Sequence, residues 1–151
     1  MAGHKAIVGL LARFDMLADE RVHAEVYRWC CGKIGLKQAA LDANCTAITH
    51  NGEQEGTARG YNPSRHRCAS HHPLLAFVAE ARMAANFWLR PGNAHSANNI
   101  LQFLGSALHR LGEKPAGLLR ANSGFFDKAV LAALEGMRIT YIVAARLTQP
   151  L

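Results

Sequence analysis

Carboxylates are scarce in this chain: 11 Asp and Glu stand against 17 Lys and Arg, a formal net charge of +6 over 151 residues. That imbalance favours an anionic partner such as nucleic acid, although a modest basic excess is also common in soluble proteins that bind none. Cysteine is sparse too. Cys30, Cys31, Cys45 and Cys68 form no C-x-x-C pair, and adjacent Cys30 and Cys31 do not resemble a secreted disulfide framework, so a reducing, cytoplasmic setting is expected. No apolar run is long enough to span a bilayer, which removes a membrane from the expected partners. The run Ala6–Ala12 is closed by Arg13 and Asp15 with no small-x-small cleavage site after it, so it is not a signal segment. Gly52 and Gly56 lack the following Lys-Ser/Thr of a nucleotide-binding loop. Internal repeats and low-complexity linkers are absent as well.

Half of the residues are apolar, enough for one ordinary core and too few residues for two. Val22, Val26, Trp29 and Cys30 recur at helical spacing between Asp15 and Lys33, with Gly32 as a stop, which predicts a helix packed on the core. Ala40 to Thr49 reads as a strand with Asp42, Asn44 and Thr46 on one face, ended by the turn signal Asn51-Gly52. Gln54 to Arg67 is polar and basic, a hairpin tip or loop. Pro73–Glu80 and Arg82–Arg90 read as two further strands. Ala94–Leu111 carries Ile100, Leu101, Leu104, Leu108 and Leu111 on one broad helical face. A short buried strand, Leu118–Ala121, then leads through Asn122-Ser123-Gly124 into a helix from about Phe125 to Gly136, and a last strand runs from Ile139 to Ala145. Strands first in a meander and then alternating with helices predict an α/β fold, a mixed sheet covered by helices.

Four runs are distinctive: Gly52-Glu-Gln-Glu-Gly-Thr-Ala-Arg-Gly-Tyr-Asn-Pro63, Ser70-His-His-Pro-Leu-Leu75, Trp88-Leu-Arg-Pro-Gly-Asn93 and Leu118-Leu-Arg-Ala-Asn-Ser-Gly-Phe125. Together they resemble the DDE transposases of bacterial insertion sequences, DDE group 1, over roughly residues 39 to 147. The resemblance implies an RNase H-like mixed five-stranded sheet with flanking helices, incomplete at the C-terminus. It divides the chain into an N-terminal helical lead-in, 1–38, and a partial catalytic core, 39–151. It also implies DNA transposition by metal-dependent strand cleavage and transfer, with Mg2+ as the family's cofactor and carboxylates holding two ions.

At this point the sequence departs from the pattern. The family's first aspartate lies in a Leu-Asp-x-Asp-Ser-Thr type run, here Leu41-Asp-Ala-Asn-Cys-Thr46, so that position falls on Asn44. The second, in a run of the type Arg-Ala-Asp-Ser-Gly-Phe, falls on Asn122. The third ligand, a glutamate beyond the fifth strand, has no counterpart before Leu151. A carboxamide keeps the carboxylate's shape but offers a neutral carbonyl oxygen, too little to offset partial dehydration of Mg2+. The expectation is a catalytically inactive transposase-type domain, a pseudoenzyme with no metal bound. Asp42, on the face of Asn44, is a weak surrogate ligand.

Blander readings stand beside these. Asn122 suits a turn, with Ser123 as a possible helix cap, and Asn44 suits a strand end. His71 and His72 cannot close one metal site if they lie side by side on a strand, because their side chains then point to opposite faces. Glu53 and Glu55 have the chemistry of an acid–base pair but no obvious partner. Arg59, Arg65 and Arg67, with Tyr61 and His66, suit phosphate contact and base stacking; a plain solvated loop is the equal alternative. The expected partner is DNA, bound weakly and without sequence preference, or a full-length transposase or a second copy of the chain. The rival functions are a non-catalytic DNA-binding or transposase-pairing regulatory module and an inert relic of a decaying gene.

Overall fold

The computed structural model describes residues 5, 16–35, 37–52, 54–60, 62, 65–66, 68–95, 98–112 and 114–145. It divides into two compact units, Met1–Gly35 and Leu36–Leu151.

In the first unit, α1 spans Met16–Lys33. Among its described side chains Tyr27 and Cys31 are buried, four residues apart and therefore on one stripe, whereas Val22, Val26 and Trp29 are exposed. This corrects the expected face. At 100° per residue, Val22, Val26 and Trp29 form a stripe on roughly the opposite side of the helix from Tyr27 and Cys31. The sequence offers two apolar stripes and periodicity does not say which one is covered.

The second unit is built on a five-stranded sheet of β1 (Ala39–Cys45), β5 (Leu74–Val78), β6 (Met83–Trp88), β7 (Ala116–Ala121) and β8 (Thr140–Val143), in the order β6-β5-β1-β7-β8. β1 pairs antiparallel with β5 and parallel with β7, and β7 is parallel to β8. The two parallel steps need crossovers. α2 (Ile100–Arg110) supplies the one from β6 to β7, and α3 (Lys128–Gly136) the one from β7 to β8. Alternation sorts the sheet's faces. Leu41, Ala43, Leu74, Ala76, Val78 and Leu119 are buried, as are Phe103, Leu104 and Ala107 of α2 and Val130 and Leu134 of α3. Leu41, Leu104, Leu119, Leu134 and Ile139 converge on one apolar cluster. The residues between them, Asp42, Asn44 and Arg120, turn to the other face.

Several boundaries differ from the periodicity. The run predicted from Ala40 to Thr49 is two strands, because the chain leaves the main sheet after Cys45 and re-pairs as β2 (Ile48–Thr49) in a second sheet. That small sheet has the order β2-β4-β3, with β3 at Ala58–Arg59, inside the stretch read as loop, and β4 at Ala69–His71, just beyond it. α2 starts six residues later than expected, at Ile100, since Asn99 has φ 60, outside helical space. The helix predicted from Phe125 begins at Lys128. Ser123–Phe125 is a separate 3-10 turn, and the caps are Asn122 and Asp127 rather than Ser123. Asp127 Oδ1 accepts from the backbone N–H of Ala129 at 2.8 Å and of Val130 at 3.3 Å, satisfying donors that the first helical turn leaves free.

Two glycines of the distinctive runs hold the sheets together by close approach. A Cβ on Gly60 would collide with the carbonyl oxygen of Gly92, and one on Gly92 with that of Ala58. No side chain fits either place.

Candidate functional site

Parallel pairing sets Ala43 opposite Ala121, so the residues that follow, Asn44 and Asn122, meet where β1 and β7 end. Asn122 Nδ2 donates to Asn44 Oδ1 at 2.5 Å and to the carbonyl oxygen of Cys45 at 2.8 Å. Its Oδ1 accepts from the Gly124 N–H at 3.0 Å and from the Cys45 thiol at 3.4 Å. Both amide hydrogens and the amide oxygen of Asn122 are thereby engaged. Asn44 is exposed and Asn122 half-buried.

Asp42 sits directly opposite Arg120 in the register. The guanidinium grips it with two bonds, Nε to Oδ1 at 2.6 Å and Nη2 to Oδ2 at 2.8 Å. The hydrogen bond and then the charge of Asp42 hold the Arg120 guanidinium above its ordinary value. Asp42 is thus paired with the Arg120 guanidinium on the face it shares with Asn44.

Sequence reasoning missed three contributors. Cys45 wedges its thiol and carbonyl against Asn122. Arg90 is buried and donates to the carbonyl oxygens of His72 (3.0 Å), His95 (3.2 Å) and Asn98 (2.9 Å). Burial lowers its guanidinium's pKa, with a smaller opposing influence from Cys45. Asn62, almost fully buried, donates to Thr49 Oγ1 at 2.7 Å and accepts from the Arg65 N–H at 3.0 Å, fastening the basic loop. The Asn62-Pro63 turn signal could have found it; Arg90 and Cys45 lie in the runs quoted for the resemblance, but nothing local to them signals these contacts.

Of the predicted loop residues, Arg59 is exposed on β3, and Arg65 and His66 are exposed beyond it. Tyr61, Arg67 and Glu53 lie outside the described residues. Glu55 is exposed. His71 and His72 diverge: His71 Nδ1 meets His50 Nε2 at 2.8 Å, while His72 Nδ1 meets the Ala94 carbonyl oxygen at 3.1 Å.

The donor set at the strand ends does not fit Mg2+. A hard ion needs several oxygen ligands, commonly carboxylates, whereas here one amide presents N–H groups to the other's oxygen. Among the described residues no group of three His, Cys, Asp or Glu side chains is arranged to hold an ion. Nor is any described helix long and apolar enough to cross a membrane.

A mixed five-stranded sheet whose antiparallel first three strands precede two parallel ones, with helices in the crossovers, is the RNase H-like fold of transposase catalytic domains. The chain matches the family model of the transposase DDE domain, group 1, over residues 15–151, and it belongs to that family. Its structure is similar to piggyBac transposase in a synaptic complex with hairpin DNA, with TM-score 0.55 and 14% identity over 97% of this chain and 31% of that one. It is also similar to Mos1 transposase in a paired-end complex with the left transposon end, with TM-score 0.50 and 11% identity over 83% of this chain and 41% of that one. The chain thus spans less than half the length of either transposase. No curated protein matches its sequence.

Proposed function

We propose that this is a catalytically inactive DDE transposase domain in which Asn44 and Asn122 occupy the positions of the family's metal-binding aspartates. The observation that carries the reading is the hydrogen bond from Asn122 Nδ2 to Asn44 Oδ1. It joins the two side chains that a functional site would turn together towards an ion. Two ionised aspartates at that separation would repel each other without a cation between them. Two carboxamides need none. Loss of charge and loss of ligand count act together, since charge stabilisation by the ion is the main contribution of a two-metal site to cleavage.

A second reading, in which the domain keeps a weak and sequence-indifferent hold on DNA, is supported by the +6 net charge and the exposed Arg59 and Arg65. The DNA in the piggyBac and Mos1 complexes is in keeping with that role. A domain that binds without cutting would regulate transposition by competing for DNA or by pairing with an intact transposase or a second copy.

The deciding experiment offers the purified chain supercoiled and linear DNA with Mg2+ or Mn2+, beside gel-shift titrations at low salt. Binding without cleavage is the expected outcome. Metal-dependent nicking that EDTA abolishes would refute the assignment of inactivity. No binding at any salt concentration would remove the DNA role and leave an inert domain.

A further inference from the structure

Two of the eight histidines face each other ring to ring, away from the asparagine pair. His50 follows β2 and His71 ends β4. Their rings stand nearly perpendicular, at 84° with centroids 4.7 Å apart, and His71 Nδ1 lies 2.8 Å from His50 Nε2. The other nitrogen of His71, Nε2, lies 3.2 Å from the backbone carbonyl oxygen of Glu55. That oxygen only accepts, so Nε2 carries the proton and Nδ1 turns its lone pair towards His50. Gly56 makes the approach possible. Its φ is 76, and a Cβ there would stand 3.3 Å from His71 Nε2. His71 is 6% exposed, with its ring held by both contacts, whereas His50 is half-buried.

A buried imidazole whose outer N–H is tied to a carbonyl, with its remaining lone pair aimed at a second imidazole, has the arrangement of a metal-ligating histidine. The carbonyl selects the tautomer and fixes the plane of the ring. We propose that His50 Nε2 and His71 Nδ1 form a two-histidine site for one divalent transition-metal ion of the zinc or cobalt kind. Imidazole nitrogens suit these ions and not Mg2+, so the site is independent of the chemistry at Asn44 and Asn122. Nitrogens at 2.0–2.1 Å from a tetrahedral ion stand about 3.3 Å apart; with the His71 ring held, the ion lies on the line of the present hydrogen bond, so the His50 ring must swing aside, carrying its Nε2 about 2 Å off that line. Its proton moves from Nε2 to Nδ1 as the lone pair on Nε2 is given to the ion, and no proton is left over. No third protein ligand of the His, Cys, Asp or Glu type joins the pair among the described residues. Water completes the coordination and the ion is exchangeable. Once bound, it fastens the end of β2 and the Glu55–Gly56 turn to β4, stiffening the segment that leads into Arg59.

The test uses Co2+ as the probe, because thiolate ligation produces a sulfur-to-metal charge-transfer band that histidine ligation lacks. This separates the site from the four cysteines. Titration of the full chain should give one bound ion, no charge-transfer band, and a higher melting temperature. His50→Gln should weaken binding by about 10- to 100-fold, while His72→Gln, next in sequence but bonded to Ala94, should bind as the parent does. His50→Cys keeps a ligand at the same place and should bring up the charge-transfer band, a gain that loss of folding cannot imitate. Equal affinity in His50→Gln, a band already present in the parent, or no band in His50→Cys would each overturn the proposal.

Discussion

Asn122 Nδ2 donates to Asn44 Oδ1 across the ends of two parallel strands, and the roles in that bond are not interchangeable. Asn44 contributes only an oxygen, whereas Asn122 contributes two hydrogens, the second to the Cys45 carbonyl. An aspartate can replace the first residue in this geometry but not the second. Asn122→Asp is predicted to destabilise the domain by about 1–3 kcal/mol at neutral pH, because two acceptors lose their donor and face a carboxylate instead. Asn44→Asp should stay within about 0.5 kcal/mol of the parent, since its oxygen still accepts. Urea denaturation of both variants in EDTA checks this, and equal losses would count against the donor assignment.

Millimolar Mg2+ should leave the melting temperature of the parent chain unchanged. The double variant Asn44→Asp, Asn122→Asp should melt lower in EDTA and regain stability with Mg2+ or Mn2+, without efficient strand transfer. Ligand binding to the folded state alone stabilises in proportion to the logarithm of ligand concentration over Kd, so a calorimetric titration with a chelator control reads the site directly. A strong Mg2+ effect on the parent would mean that another acid, Asp42 first, has taken over.

DNA binding, where present, should depend steeply on salt. Changing Arg59, Arg65 and Arg67 together to alanine should lower affinity and flatten the log–log salt plot. The slope should fall by roughly 0.9 for each duplex phosphate that is no longer neutralised, or by about 0.7 on single strands. A filter-binding series across salt decides it, and an unchanged slope would clear the loop of any DNA role.

His72 makes stability sensitive to acid. Burial lowers its pKa below the ordinary 6.5, outweighing the hydrogen bond to the Ala94 carbonyl, which acts the other way. With the folded value depressed, the unfolded chain takes up the proton first. The stability associated with neutral His72 is therefore complete above about pH 6.5 and is lost as pH falls through that value towards the lower folded one. Chemical denaturation between pH 8 and 5 should show this decline, and His72→Gln should reduce its slope.

Much of the fold was legible because periodicity and turn chemistry are local. The two-residue period marked the sheet strands, the broad apolar face marked α2, and the run of strands followed by alternation gave a mixed sheet. Boundaries were less legible where a single backbone angle or cap overrides side-chain pattern, as at Asn99 before α2 and Asp127 before α3. The three-stranded sheet formed around the basic stretch was hidden for another reason. β2 and β3 are two residues each, too short to display a period, and they form only because β4 lies between them.

By itself the sequence determined the chemistry available at the strand ends, carboxamide at 44 and 122, because residue identity is the same in any fold. Only the tertiary structure decided what those groups do. The parallel pairing of β1 with β7 aims Asn122 at Asn44 and Arg120 at Asp42, and the β2–β4 pairing brings His50 to His71 across 21 residues. Hydrogen bonds and ion pairs act over a few ångströms, so residues far apart along the chain become partners only when the register of the sheets brings them within that reach.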